Sequence, residues 1–236
     1  MLFNGKLSLR MIDDLLHLFY PKICFGCEKA LLKGESCLCT YCLAHLPKTR
    51  WTGETDNELW MKLQGRITCR SATAYLFFNK GEIVQHLLHG LKYKGKQQIG
   101  HYIGEMMGHE YKETPIFADI DAIIPVPLHF SRQKQRGYNQ SEIIGRSFGE
   151  VLNLPVLTNV IERTKATDTQ THKGRANRWD NVSNIFSLLP SASESEHKHL
   201  LLLDDVITTG ATIEACAQRL LEIPNVAVSV LTVACV

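Results

Sequence analysis

The stretch LLLDDVITTGAT, residues 201–212, constrains the fold more than any other part of the chain. Four aliphatic residues, Leu200 to Leu203, form a short apolar run of the kind that makes a strand buried on both faces. The run ends on two adjacent carboxylates, Asp204 and Asp205. Val206, Ile207, Thr208, Thr209, Gly210, Ala211 and Thr212 follow, and ATIEACAQRLLE (211–222) then takes up helical spacing. A core strand therefore delivers two negative charges to a turn of small, hydroxyl-bearing residues at the start of a helix.

The surrounding chain repeats this alternation. Strand-like runs at 71–78, 120–127, 155–162, 184–189, 199–205 and 226–236 are interleaved with helical patterns at 81–92, 97–112 and 137–153. Such alternation predicts an α/β domain with a mostly parallel sheet flanked by helices on both faces. Ligands in such sheets sit beyond the carboxyl ends of the strands, which is where 204–212 falls. The 236 residues suit one large domain or a domain plus a small module. The division expected is 1–50 for an N-terminal helix and a cysteine module, and 51–236 for the α/β body. Residues 47–70 read as a polar connection with one short helix.

A net charge of +2 argues neither for nor against a nucleic-acid partner, so that case rests on local patches. No apolar run reaches the ~18 residues of a membrane span. The opening MLFNGKLSLRMIDDLLHLFYP is interrupted by Asp13 and Asp14, and reads as an amphipathic helix rather than a signal peptide. Without a secretory signal, eight cysteines point to thiols in a reducing cytoplasm, hence to metal or core rather than disulfides.

Five of those eight lie between Cys24 and Cys42, in CFGC and CLCTYC. Two C-x-x-C pairs about a dozen residues apart can fold as paired knuckles that place four thiolates around one Zn²⁺. The expected ligands are Cys24, Cys27, Cys39 and Cys42, with Cys37 as the alternative to Cys39. Gly26 and Gly34 supply the tight turns. A closed set of four thiolates leaves no open coordination position, which makes the zinc structural, and a module this short would take its folding free energy from the metal. Buried free cysteines or a redox C-x-x-C pair are the plainer readings.

The chemistry of 204–212 is that of a ribose 5-phosphate cradle. The helix start offers unpaired N–H groups and a partial positive charge for a phosphate, and the threonines add hydroxyl donors. Ionised carboxylates accept hydrogen bonds from vicinal sugar hydroxyls. The stretch resembles the 5-phosphoribosyl 1-diphosphate (PRPP) signature of type I phosphoribosyltransferases. The Cys₄ module, Leu91–Gly95 (LKYKG), Pro125–Pro127, Arg136–Gln140 (RGYNQ), Arg163, Thr167, Gln170, Arg178 and Asn181, in this order, resemble the ComF family of competence and DNA-utilisation proteins. That resemblance spans essentially the whole chain. It implies a type I phosphoribosyltransferase-like fold with an N-terminal zinc finger, and work on incoming single-stranded DNA beside a competence helicase or another DNA-processing protein.

It also implies roles. The segment after the first core strand, PVPLHFSRQKQRGYNQ, stands where such enzymes bind pyrophosphate, and it carries Arg132, Lys134 and Arg136. The polar stretch 163–181 stands where a flexible loop closes over PRPP. From Arg163 to Arg178 it holds five Lys/Arg residues against Asp168, and Arg163, Gln170 and Arg178 are its expected pyrophosphate contacts. Mg²⁺ would arrive with PRPP, leaning on substrate oxygens and waters rather than on a protein cage. Lys92, Lys94, Lys96 and Trp179 are candidate contacts for a partner or for DNA, although lysine clusters are as often simply solvated.

Two readings of function follow. One is a Mg²⁺- and PRPP-dependent phosphoribosyltransferase with an unidentified acceptor. The other is a catalytically silent single-stranded-DNA-binding competence factor that uses the PRPP pocket for regulation. A glutamine amidotransferase is not expected, since those enzymes carry a nucleophilic cysteine at the start of a separate glutaminase domain and this chain begins MLFNG.

Overall fold

The computed structural model of the chain describes residues 21–51, 56–164 and 185–236. The amphipathic helix expected near the start lies outside the described residues. The strands are β1 (Ala72–Phe77), β2 (Ala122–Pro125), β3 (Ile161–Arg163), β4 (Phe186–Leu188), β5 (His199–Ile207) and β6 (Ala227–Cys235). The α-helices are α1 (Thr40–Ala44), α2 (Glu58–Leu63), α3 (Ile83–Tyr93), α4 (Gln97–Tyr111), α5 (Phe130–Arg136), α6 (Gln140–Leu152) and α7 (Ala211–Leu220).

Four strands form one parallel sheet in the order β1-β6-β5-β2. Leu200 to Leu203 are completely buried because both faces of β5 are covered. Leu201 and Leu203, with Leu231 and Val233, pack beneath α3, α4 and α6. Leu200 and Leu202, with Val228 and Val230, pack beneath α2 and α7. The parallel sheet flanked by helices is the architecture the alternation predicts.

The expected strand 155–162 is divided. Val156 makes a single parallel bridge to Ile123, whereas Ile161–Arg163 pairs antiparallel with Phe186–Leu188 in a separate two-stranded ribbon. Bends at 158–160, around Thr158 and Asn159, separate the two pieces. The segment after β2, which carries the expected pyrophosphate residues, contains the helix α5. His129 Nδ1 accepts from the Ser131 N–H at its start, and Gly137 in the left-handed conformation stops it.

Helices α4 and α6 cross in near-backbone contact. Gly100, Gly104 and Gly108 line one side of α4, and a Cβ on Gly104 would fall 2.4 Å from the Ile144 carbonyl oxygen and 3.1 Å from the Phe148 nitrogen. The cysteine module docks on the same side of the sheet. Cys24, Leu38, Cys42 and Leu46 share a core with Val84, Leu87 and Leu88 of α3 and Ile99 of α4. His86 Nδ1 meets the Gly26 carbonyl oxygen at 2.8 Å. Among the described residues no helix is long and apolar enough to cross a membrane.

Candidate functional site

Parallel strands bring their carboxyl ends to one edge, and β5 carries Asp204 and Asp205 there. Strand alternation sends the two side chains to opposite faces of the sheet. Asp204 lines a small concavity of about 40 Å³ whose other walls are the turn and first residues of α7, Val206 to Ile213. It is only 9% exposed, and its Oδ1 accepts from Ser141 Oγ at 3.0 Å and from the Asp205 N–H at 2.8 Å. Burial and then the neighbouring Asp205 charge push its pKa up to about 7, against the opposing pull of the Asp205 N–H, Lys92 and Ser141.

Asp205, 3% exposed, faces α3, where Lys92 Nζ stands 2.9 Å from its Oδ2. Among the described residues that oxygen has no aligned hydrogen-bond donor, so the contact is an ion pair held by charge rather than by direction. Lys92 is thus turned inward to the acidic edge, apart from the exposed lysines that follow it. Lys94 lies 3.9 Å from Glu28, and Lys96 stands over the Phe25 ring at 5.8 Å.

The turn at Thr208–Gly210 is braced from outside. Gly210 adopts φ +82° and leads into α7 at Ala211, where the first N–H groups have no intrahelical acceptor. Lys62 Nζ donates to the Thr208 carbonyl at 2.5 Å and reaches the Val236 carbonyl at 3.4 Å. The Arg66 guanidinium donates to the Thr209 carbonyl at 2.7 Å and to Glu214 through Nε at 3.0 Å and through its other terminal nitrogen. The polar connection 47–70 therefore holds two residues of the site that its sequence did not announce.

The expected pyrophosphate residues are partly gathered. Arg132, Lys134 and Arg136 share α5. Burial, then the charge of Arg132, lowers the pKa of Arg163, while Asp204 acts in the opposite sense, so these three groups share one neighbourhood. Lys134 is exposed. Arg136 is bonded to Gln140 Oε1, and its guanidinium lies 5.6 Å from the centre of the Tyr93 ring. The rest of RGYNQ is a staple: Tyr138 Oη donates to the Leu91 carbonyl, Asn139 Nδ2 donates to the Val126 carbonyl at 3.0 Å, and Asn139 Oδ1 caps α6. Gln170, Arg178 and Trp179, with Thr167 and Asn181, lie outside the described residues.

Cys24, Cys27, Cys39 and Cys42 bring their sulfurs within 4.8 Å of one another, a group that could hold a metal ion such as zinc. Backbone N–H groups of Gly26 and Cys39 point at Cys24 Sγ at 3.4 and 3.3 Å. Burial would raise the Cys24 pKa, but those N–H bonds, that of Cys27 and the Cys27 thiol outweigh it and bring it to about 7. Such a thiol loses its proton to solvent readily when a cation takes up the sulfur. Cys37 stays outside the group; burial, then Cys24, pushes its pKa up to about 12.

A second polar cluster lies at the opposite end of the sheet. His199 Nε2 is 2.8 Å from Ser229 Oγ, and its Nδ1 is 3.1 Å from Asp119 Oδ1. Ser229 is wholly buried within β6, which closes this serine to any substrate.

No family model matches the chain. The chain is 29% identical over 212 residues to Competence protein F of Haemophilus influenzae, covering 86% of this chain and 92% of that protein. The chain is similar over most of its length to proteins named for competence. Competence protein ComFC of Bacillus subtilis is 23% identical over 203 residues, 85% of this chain and 78% of its own. DNA utilization protein YhgH of Escherichia coli K12 is 32% identical over 148 residues, 61% of this chain, and the match spans 63% of that protein's length. Among solved structures, adenine phosphoribosyltransferase from Leishmania tarentolae is similar at 10% identity with a TM-score of 0.38, over 77% of this chain and 89% of that one. The allosteric regulatory enzyme of purine biosynthesis is similar at 19% identity with a TM-score of 0.37, over 56% of this chain and only 25% of that one. These superpositions are loose; the likeness to the competence proteins rests on the sequence relatives, and the architecture on the strand order.

Proposed function

We propose that this chain binds PRPP with Mg²⁺ at the carboxyl edge of its sheet, in the cytoplasm and in the service of DNA uptake, and transfers the phosphoribosyl group to an acceptor. The observation that carries this reading is the concavity with Asp204 on one wall and the Thr208–Thr212 turn on the other. The 5-phosphate would take the N–H groups at the start of α7 and the threonine hydroxyls, while ionised Asp204 would accept from a ribose hydroxyl. Asp205 stands on the opposite face of the same strand end, paired with Lys92. Two carboxylates, one of them paired, make no cage for a cation, which suits a Mg²⁺ carried on the substrate's own oxygens. Bound there, Mg²⁺ would offset the diphosphate's charge.

The chain's residues then act on charge. As the C1–O bond breaks, the electron pair leaves with the diphosphate and the sugar becomes oxocarbenium-like. Arg132, Lys134, Arg136 and Arg163 are the cations to receive that leaving group, and the acceptor's lone pair closes the new bond to C1. The four clustered thiols would hold a structural Zn²⁺. Calorimetric titration with Mg²⁺-PRPP tests binding, and pyrophosphate release across a panel of bases and amines tests turnover.

A second reading, the silent DNA-binding factor, draws on one surface. The Tyr93 ring, 69% exposed, lies between His89 at 5.0 Å and the Arg136 guanidinium, with Lys94 and Lys96 following. An exposed aromatic among cations suits a stacked base and its phosphates. Fluorescence anisotropy of a labelled oligo-dT at low and high salt tests it, and a DNA-processing protein would be its partner.

A further inference from the structure

Arg66 belongs to no motif and lies far from 204–212 in the chain, yet it makes the densest polar contacts on the phosphate turn. Its guanidinium holds the Thr209 carbonyl and the Glu214 carboxylate together, and its backbone carbonyl accepts from Gln218 Nε2 at 3.4 Å, which ties it to α7 at two levels. The approach is close. A Cβ on Gly210 would lie 3.1 Å from the guanidinium and 3.3 Å from Leu63 Cδ2. The guanidinium keeps intermediate exposure and Glu214 is more covered still, so the pair is weakly screened compared with an open surface pair.

Two physical consequences follow from that placement. A carbonyl bonded outward to a cation cannot turn toward the concavity, so the peptide units of Thr208 and Thr209, held by Lys62 and Arg66, are kept from presenting oxygen to an incoming anion. Glu214 sits in the first turn of α7, where its negative charge would repel a phosphate at the same helix start. Arg66 neutralises it.

We propose that Arg66 is a positioning residue for phosphate recognition: it fixes the turn's carbonyls outward and cancels the Glu214 charge, so that the turn accepts a phosphate dianion. This rests on the reading that the turn binds the 5-phosphate of PRPP. It goes further by assigning the selection for anion to a residue of α2's trailing segment. The role is electrostatic as well as architectural, and the two parts separate experimentally.

The test follows the backbone amides of Gly210, Ala211 and Thr212 by ¹⁵N NMR while inorganic phosphate, ribose 5-phosphate or PRPP with Mg²⁺ is added to the full chain. Wild type should show saturable shifts with all three probes. Arg66→Gln should weaken phosphate and ribose 5-phosphate binding about tenfold, the scale of one charge-assisted hydrogen bond with its charge. Arg66→Lys, which keeps the charge but not the fork, should fall between the two. Arg66→Gln with Glu214→Gln should recover part of the loss, which a purely structural role would not produce. Equal phosphate affinity in wild type and Arg66→Gln, with both folded by thermal melt, overturns the proposal, as does a double variant no better than Arg66→Gln. The underlying reading fails differently. If wild-type amides respond to inorganic phosphate but not to Mg²⁺-PRPP, the PRPP assignment is lost while the Arg66 role stands. If they respond to no probe, both are lost.

Discussion

Lys92 and Asp205 form an ion pair of 2.9 Å across the acidic edge, with the lysine at the end of α3 and the carboxylate at the end of β5. The Asp205 side chain is 4% exposed and the Lys92 side chain 19%, so neither has water as an easy substitute. Tyr138 and Arg136 secure the same helix end, one on the Leu91 carbonyl and the other over the Tyr93 ring. The segment expected to meet pyrophosphate is thereby mechanically joined to the lysine that guards an acid of the site.

Lys92→Ala should cost ~3 kcal/mol of stability, because removing one member of a buried pair leaves the other uncompensated. Lys92→Met with Asp205→Asn should recover most of that loss. Urea unfolding of the wild type and the two variants checks this. Equal midpoints for wild type and Lys92→Ala would show the pair to be idle.

Asp204 supplies a pH dependence of definite sign. Its folded pKa of about 7 lies above its ordinary value, so between the two the folded state holds a proton that the unfolded state has released. Stability should therefore fall as pH rises from ~4 through ~7 on this account, and Asp204→Asn should remove that part of the slope and melt higher at pH 8. Ser141→Ala deletes a donor to the ionised form and should move the transition to higher pH. Melting temperatures measured across pH 4–9 decide it. A profile of Asp204→Asn parallel to wild type contradicts the assignment.

The metal group predicts an asymmetry among neighbouring cysteines. Cys37→Ala should retain one zinc per chain in a colorimetric release assay, whereas Cys39→Ala should lose it, since Cys39 and not Cys37 stands with the other three sulfurs. Chelation should also loosen α3, whose Val84, Leu87 and Leu88 pack against the module.

Gly104→Ala should destabilise the chain by ~2 kcal/mol, because a methyl group would be forced against the Ile144 carbonyl of the facing helix. Gly95→Ala is the comparison: among the described residues nothing stands within 4 Å there, and its φ of +67° is what opposes the change. Chemical denaturation should rank Gly104→Ala as the worse.

The order of strands and helices was legible because burial on both faces of β5 leaves an unbroken apolar run, and a turn at Gly210 punctuates it. The cysteine spacing was equally plain, since paired knuckles require their ligands close in sequence. What stayed hidden was long-range. Nothing local to Lys92 says that the end of α3 meets the end of β5, and nothing local to Arg66 says that it faces Thr209. The divided 155–162 segment looked like one strand because a single bridge at Val156 and a short ribbon at Ile161–Arg163 have the same composition as a continuous one. The glycines of α4 did carry a signal, one recurring at every fourth residue from Gly100 to Gly108, and that spacing is what a close helix crossing needs.

The central claim is most directly tested by isothermal titration of Mg²⁺-PRPP into the wild-type chain and into the double variant Asp204→Ala, Asp205→Ala. A saturable heat with wild type that disappears in the double variant, and also when Mg²⁺ is withheld, is the result this account predicts. Identical heats for the two proteins, or none for wild type, would contradict it.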